Sequence, residues 1–255
     1  MESAEDALGT AMLDFQRGGL RGGAIHRDGA ETWPAFVEEN YFGNEGAGLD
    51  LDTVDERWRS LYDSFEGPLL DVGCGAGHHA LGFQRRFETV AFDVSPNAVR
   101  AARERGVEDA RVQDMFDLTE AFETSRFASV LCNGTQLGLA GSLAGVSSLL
   151  ADFGRVTTDD AVALLDSYDP SRIDEETADE FGGYRPDPRA GVCGRTFHVE
   201  YDRGVDDGYE RLVGPTLSFV LFSPDRLRDA CVGTPWHVAE ITHRDGYYKA
   251  LLGKT

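Results

Sequence analysis

Residues 68–80 read Pro-Leu-Leu-Asp-Val-Gly-Cys-Gly-Ala-Gly-His-His-Ala, and no other stretch restricts the fold as much. Leu69, Leu70 and Val72 form a short apolar run interrupted only by Asp71, the pattern of a strand buried on both faces. Gly73, Gly75 and Gly77 follow at alternate positions, and a helical pattern begins after them. Glycines let the backbone turn tightly and approach a ligand, while free N–H groups at a helix start point outward. A strand, a glycine turn and a helix start together make a nucleotide site. The dinucleotide fingerprint requires a third glycine five residues after the first, where this chain has His78. Its pattern is G-x-G-x-G, led by Asp71.

Two later strands end in acids. Residues 89–93 read Thr-Val-Ala-Phe-Asp, which places Asp93 about 20 residues after Gly73, the spacing expected of a carboxylate that accepts ribose hydroxyls. Val94 follows, then Ser95 as N-cap and Pro96 at the first position of a helix that Gly106 stops. Residues 110–114 form a third strand ending at Asp114, with Met115 and Phe116 next. A fourth strand, 127–132, ends at Asn133-Gly134-Thr135-Gln136.

In this order and spacing the chain resembles the class I S-adenosylmethionine (SAM) dependent methyltransferases. Residues 71–77 match that family's first motif at every position. The resemblance implies a glycine loop, including Cys74, lying against the amino-acid end of SAM, with Asp93 and Val94 at the ribose. It also implies Asp114, Met115 and Phe116 at the adenine, and Asn133 and Gly134 facing the methyl group. The fold implied is α/β: a doubly wound, mostly parallel seven-stranded sheet of the Rossmann-like type. Its last two strands would be a terminal hairpin around Asp245-Gly246, the seventh slotting between the fifth and sixth. The Pro-Pro signature of exocyclic-amine DNA methyltransferases is missing after Asn133. Leu131 precedes Cys132, so the Pro-Cys pair of cytosine-C5 enzymes is missing too, and Cys132 reads as a buried thiol. Small molecules are the acceptor class this favours. RNA or protein methylation, non-catalytic SAM binding and nicotinamide-dependent dehydrogenation are the alternatives.

Charge bears on partners. The net charge is −21, and only Lys249 and Lys254 are lysines. This acid excess resembles proteins of salt-loving archaea, in which molar salt shortens the Debye length to about 3 Å and screens self-repulsion. The expectation is easier unfolding in dilute buffer than in molar KCl. Nucleic acid is disfavoured as a substrate because its binding needs Lys and Arg against phosphates. Four scattered cysteines with no C-x-x-C pair indicate neither zinc nor disulfides. The adjacent His78 and His79 do not share a helix face, so a solvated or capping role is expected rather than metal binding. An acidic start and no long apolar run suggest a cytoplasmic protein without a membrane span.

The flanks complete the division of a single domain. Residues 1–65 are expected to be a helical extension with an aromatic cluster (Trp33, Phe36, Tyr41, Phe42), either packing on the sheet edge or serving as a lid with Tyr41 its ligand contact. Residues 66–169 are the SAM-binding core, and 170–222 an insert on the substrate side. In that insert, a surface loop leads to a strand at 195–201, a turn at Asp206-Asp207-Gly208 and a second strand run at 211–222. His198, Glu200 and Tyr201 on this hairpin are the candidate catalytic groups. Residues 223–255 are the terminal helix and hairpin that complete the sheet.

Overall fold

The computed structural model describes residues 5–43, 48–173, 182–205 and 208–255. Its N-terminal part is not wholly helical. Helix α1 (Ala7–Gln16), capped by the Asp6 carboxylate, leads into a hairpin of β1 (Ala24–Asp28) and β2 (Glu31–Pro34). The cause is Ala24, Ile25 and His26, which complete a sheet with strands about 170 residues distant along the chain, a partner that local periodicity cannot reveal. Two short helices follow, α2 (Val37–Tyr41) and α3 (Glu56–Asp63). The expected helix at 52–65 is trimmed because Asp55 caps it, accepting the Arg57 N–H.

The central sheet is the one foreseen. Strands β3 (Leu69–Val72), β4 (Thr89–Asp93), β5 (Ala110–Val112), β6 (Phe127–Cys132) and β7 (Thr157–Tyr168) are parallel. The terminal hairpin is β12 (Trp236–Arg244) and β13 (Tyr247–Lys254), and the spatial order is β12-β13-β7-β6-β3-β4-β5. β13 is antiparallel to both neighbours and holds the slot between β7 and β12. Helices cover both faces. Leu70, Val72, Phe92 and Val130 pack under α6 (Leu143–Val156) and α7 (Pro224–Cys231). The opposite face meets α3, α4 (His78–Phe83) and α5 (Pro96–Arg105). Strict alternation along β3 thus feeds two cores at once, which is why its sequence is apolar at nearly every position.

The insert is larger than a hairpin. β8 (Tyr184–Pro186), β9 (Val192–Val205), β10 (Gly208–Val213) and β11 (Leu217–Phe222) combine with β1 and β2 in a second sheet of six strands. The single strand run expected over 211–222 is two strands, parted at Gly214-Pro215-Thr216, where proline cannot donate to a ladder. β9 is long enough to pair with β8 and β11 through its first half and with β1 and β10 through its second. Asp206 and Asp207 of the expected turn lie outside the described residues, as does 174–181 of the surface loop. Helix α1 is clamped between α5 and this second sheet. Ala7, Ala11 and Met12 share an apolar cluster with Ala98, Ala101, Phe197, Val199 and Tyr201.

Candidate functional site

The glycine loop joins β3 to α4. Gly73, Gly75 and Gly77 all adopt left-handed backbone angles, φ +69°, +53° and +78°, which side-chain-bearing residues rarely adopt. Each glycine also permits a close approach. A Cβ on Gly73 would stand 2.9 Å from the Gln136 side chain, and one on Gly75 2.9 Å from the Tyr41 ring. A Cβ on Gly77 would meet Val107 at 2.5 Å, so this glycine serves packing against the α5 region.

Asp93, at the end of β4, has one carboxylate oxygen accepting the Gly75 N–H at 3.0 Å and the other the Ser95 N–H at 2.9 Å. It therefore fixes the loop and still has lone pairs to spare. Burial pushes its pKa up. Asp71 is buried at the base of the loop with Oδ2 unpartnered, and burial raises its carboxyl to about 7. Cys74 and Cys132 are thiols whose pKa burial drives well above the ordinary value, which excludes a thiolate at neutral pH.

Beyond the end of β6 the chain is strained. Thr135 has φ +58°, unusual for a β-branched residue. The constraint comes from Asp166 on β7, which accepts the Gly134 N–H at 2.8 Å, the Thr135 N–H at 2.5 Å and the Tyr247 hydroxyl. Asn133 accepts from the Lys249 ammonium, which is 5% exposed and stands 5.6 Å, 5.6 Å and 5.8 Å from the ring centres of Trp58, Tyr62 and Tyr247. Lys249 and Asp166 are register partners on adjacent strands. Neither residue carries a sequence signal of its own, since only the pairing of β13 with β7 brings them to Asn133.

These elements surround one cavity of about 440 Å³, within the usual range of ligand sites. Its lining joins Gly73, Cys74, Asp93, Val94, Asn133 and Gly134 to Tyr41 and Met12 from the N-terminal part and to Arg195, Phe197 and Phe219 from the second sheet. Tyr41 is enclosed and its pKa rises to about 12, through burial first and the Asp93 charge second. His78 and His79 also line the cavity, which corrects the solvated role expected of them. Burial lowers the pKa of both, that of His79 well below the ordinary value, with the His78 and Lys249 charges adding to the effect. Among the described residues no group of three or more His, Cys, Asp or Glu side chains is placed to hold a metal ion.

Asp114, Met115 and Phe116 lie outside this lining. The Asp114 carboxylate caps the following turn by accepting the Phe116 N–H at 3.0 Å, and Met115 is in the core. Phe116 is 50% exposed and Val94 67% exposed, leaving apolar surface at the ends of the neighbouring strands β5 and β4. The hairpin candidates are also elsewhere. The Tyr201 hydroxyl is buried between the Arg21 N–H, which it accepts, and Asp14, to which it donates. Glu200 is tied to Arg27, Arg211 and His198, and the arginine and histidine hydrogen bonds hold its pKa down at about 2. Phe197 and Val199 reach the cavity, whereas His198 and Glu200 are outside its lining, so the alternating face that carries them serves the second sheet.

An open parallel sheet, a glycine turn after its first strand and acids at the next strand ends define the class I SAM-dependent methyltransferase fold. Residues 69–160 match the family model described as a methyltransferase domain. No curated protein matches the chain in sequence. In fold it is similar to a SAM-dependent methyltransferase from Bacteroides fragilis in complex with S-adenosyl-L-homocysteine, with 20% identity, TM-score 0.74 and coverage of 100% of this chain and 97% of that one. An amino pentose methyltransferase from Micromonospora echinaspora, crystallised with SAM, shares 18% identity with TM-score 0.55, over 82% of this chain and 93% of its own. A sugar N-methyltransferase from Streptoalloteichus sp. shares 18% identity with TM-score 0.52, over 71% and 78%. No described helix is long and apolar enough to cross a membrane.

Proposed function

We propose that the protein transfers the SAM methyl group to a small-molecule acceptor held between the glycine loop and the second sheet. The observation that carries this reading is the shared cavity, in which cofactor-loop residues and an aromatic wall from β9 and β11 face one another. The residues fit SAM. Gly73 and Gly75 form a cradle that a Cβ would close, Asp93 keeps lone pairs for ribose hydroxyls, and the orphaned Asp71 oxygen suits a cationic ligand above the loop. Val94 and Phe116 offer apolar surface for the adenine. The sulfonium of SAM supplies an electrophilic methyl group.

The chain supplies position and dryness. Asp166 fixes the Gly134–Thr135 backbone at the end of β6, and Lys249 fixes the Asn133 side chain beside it. Together they give the acceptor a rigid edge for in-line approach. Helix α1 and Tyr41 cover the cofactor side and exclude water, the role of a lid. His79 also lines the cavity, where burial and the Lys249 charge keep it uncharged. Charge argues against nucleic acid, because Glu5, Asp6, Asp93 and Asp166 all line the cavity. The test is to incubate the chain with methyl-labelled SAM and separate small-molecule, RNA and protein fractions of a cell extract. Label confined to the small molecules supports the proposal, and label in RNA or protein refutes it. A cytoplasmic location and adaptation to high salt are proposed on composition alone.

A further inference from the structure

Lys249 holds charge where charge is costly. It is one of two lysines among the 24 basic residues of the chain, and it is buried on β13 against rings of the core under α3. Lysine is almost never buried without a partner, and among the described residues no carboxylate forms an ion pair with this one. Three ring faces surround the ammonium instead, Trp58 and Tyr62 of α3 and Tyr247 of its own strand, each near enough for cation–π attraction. Its hydrogen bond goes to Asn133 Oδ1, just past the end of β6.

That bond settles which way the Asn133 amide is turned. An ammonium has three donors and no acceptor, so the edge facing Lys249 is the carbonyl and the amide nitrogen points away from it. Asn133 lines the cavity and Lys249 does not, which leaves the Nδ2 hydrogens as the part of the pair offered to a ligand. Among the described residues no group accepts from that nitrogen. The neighbouring donors are all taken, since the Gly134 and Thr135 N–H groups and the Tyr247 hydroxyl go to Asp166. An amide whose carbonyl accepts from a cation is also a stronger donor, because hydrogen bonds in a chain polarise one another. β6 is the sheet neighbour of β3, so this donor edge stands beside the glycine loop, at the carboxyl ends of the strands where such sheets bind ligands.

We infer that Lys249 is a positioning residue that presents the Asn133 amide N–H groups to the methyl acceptor, and that the acceptor places an oxygen lone pair there, from a hydroxyl or a carbonyl group. This rests on the reading of the cavity as a methyltransferase site. An acceptor with an ammonium at this point would set donor against donor, next to the Lys249 charge. Lys249 itself stays behind Asn133 and touches no substrate. The carboxylate of the cofactor's amino-acid end is the competing source of an oxygen lone pair, and the test separates the two.

The probes are acetophenone, α-methylstyrene, which has the same shape without the oxygen, and α-methylbenzylamine, an ammonium at neutral pH. Each is titrated into the chain saturated with S-adenosylhomocysteine, at a salt concentration that keeps it folded. Calorimetry gives the affinities, and NMR of the isotopically labelled chain reports the side-chain amides. Acetophenone should bind at least ~10-fold more tightly than the other two, the worth of one hydrogen bond from a polarised donor, and should shift one side-chain amide signal. Lys249→Met keeps an apolar stem among the three rings but leaves the amide free to turn over. It should bring the three probes within about threefold of one another, with affinity for S-adenosylhomocysteine within about twofold of the unmodified chain. Asn133→Asp retains the lysine, replaces the donor with an acceptor and should reverse the ranking in favour of α-methylbenzylamine, so it carries the test if Lys249→Met does not fold. No preference for acetophenone in the unmodified chain, whether all three probes bind or none does, would overturn the inference. So would an unchanged ranking in folded Lys249→Met or in Asn133→Asp, or a loss confined to S-adenosylhomocysteine, which would assign the amide to the cofactor. Failure of the unmodified chain to bind S-adenosylhomocysteine would instead sink the methyltransferase reading itself.

Discussion

The two sheets of this protein are built on opposite plans. In the central sheet β3, β4 and β6 are local apolar runs that end at Gly73, Asp93 and Asn133, so that along these strands position in sequence is position in the site. In the second sheet β9 gathers partners from both ends of the chain, pairing Arg27 with His198 and Ser218 with Thr196. On the function proposed above, cofactor chemistry sits on a contiguous scaffold and acceptor chemistry on a composite one. The lesson is that a cofactor loop can be read along the chain, whereas the wall facing it exists only once distant strands have met.

Substitution should separate the two plans. The largest effect is expected of Gly75→Val, which forces a left-handed position costing about 1–2 kcal/mol and drives carbon into the Tyr41 ring. Calorimetry should find S-adenosylhomocysteine affinity reduced at least ~100-fold, with the second sheet intact by circular dichroism. Next is Asp14→Ala. The Asp14 carboxylate is 3% exposed and takes both Arg203 guanidinium donors, at 2.5 Å and 2.9 Å, as well as the Tyr201 hydroxyl. Removing it unties α1 from the second sheet. Because Arg203 reaches solvent, the cost should be about 2–3 kcal/mol in chemical denaturation, below that of breaking a fully buried pair. A loss confined to the glycine loop would contradict the division drawn here.

The pH dependence should also differ between the sheets. Asp71 keeps its proton up to about pH 7 when folded, whereas an unfolded aspartate releases it near 4. The folded chain then holds more protons across that window, so this contribution to stability is present below about pH 4 and lost as pH rises through about 7. Asp71→Asn should flatten that decline in melts of the apo chain. His26 has the opposite sign. It titrates at about 4 when folded against 6.5 ordinarily, so its contribution is present above pH 6.5 and lost as pH falls through about 4. A histidine-to-glutamine change at position 26 should remove that acid-side loss and leave the Asp71 slope untouched.

How much of this was visible in the sequence follows the same divide. The parallel core strands, the glycine loop and the strand-end position of Asp93 were legible because each rests on local pattern or spacing, and the slot of the last strand came from the family resemblance. Asp114 sits where the strand ends, yet its carboxylate turns back on the Phe116 N–H, a rotamer choice no spacing encodes. His198 and Glu200 attracted notice as polar residues on an alternating strand, but alternation cannot say which face meets the cavity. Here Arg27 and Arg211, from two other strands, claim the Glu200 carboxylate. Arg195, three residues before His198, was illegible for the same reason. The smallest predicted effect tests this point. His198→Ala should cost less than about 1 kcal/mol, as expected of a partly exposed pair, and leave methyl transfer unchanged within measurement.

The central claim, that the loop after β3 and the acid after β4 form a SAM site, is tested most directly by calorimetric titration of SAM, S-adenosylhomocysteine and NAD into the folded chain. The account predicts binding of the first two, no binding of NAD, and a loss of at least ~10-fold in Asp93→Ala, which removes the ribose acceptor and the tether on Gly75. Binding of NAD without SAM, or silence toward SAM and S-adenosylhomocysteine from a chain that remains folded, would contradict it.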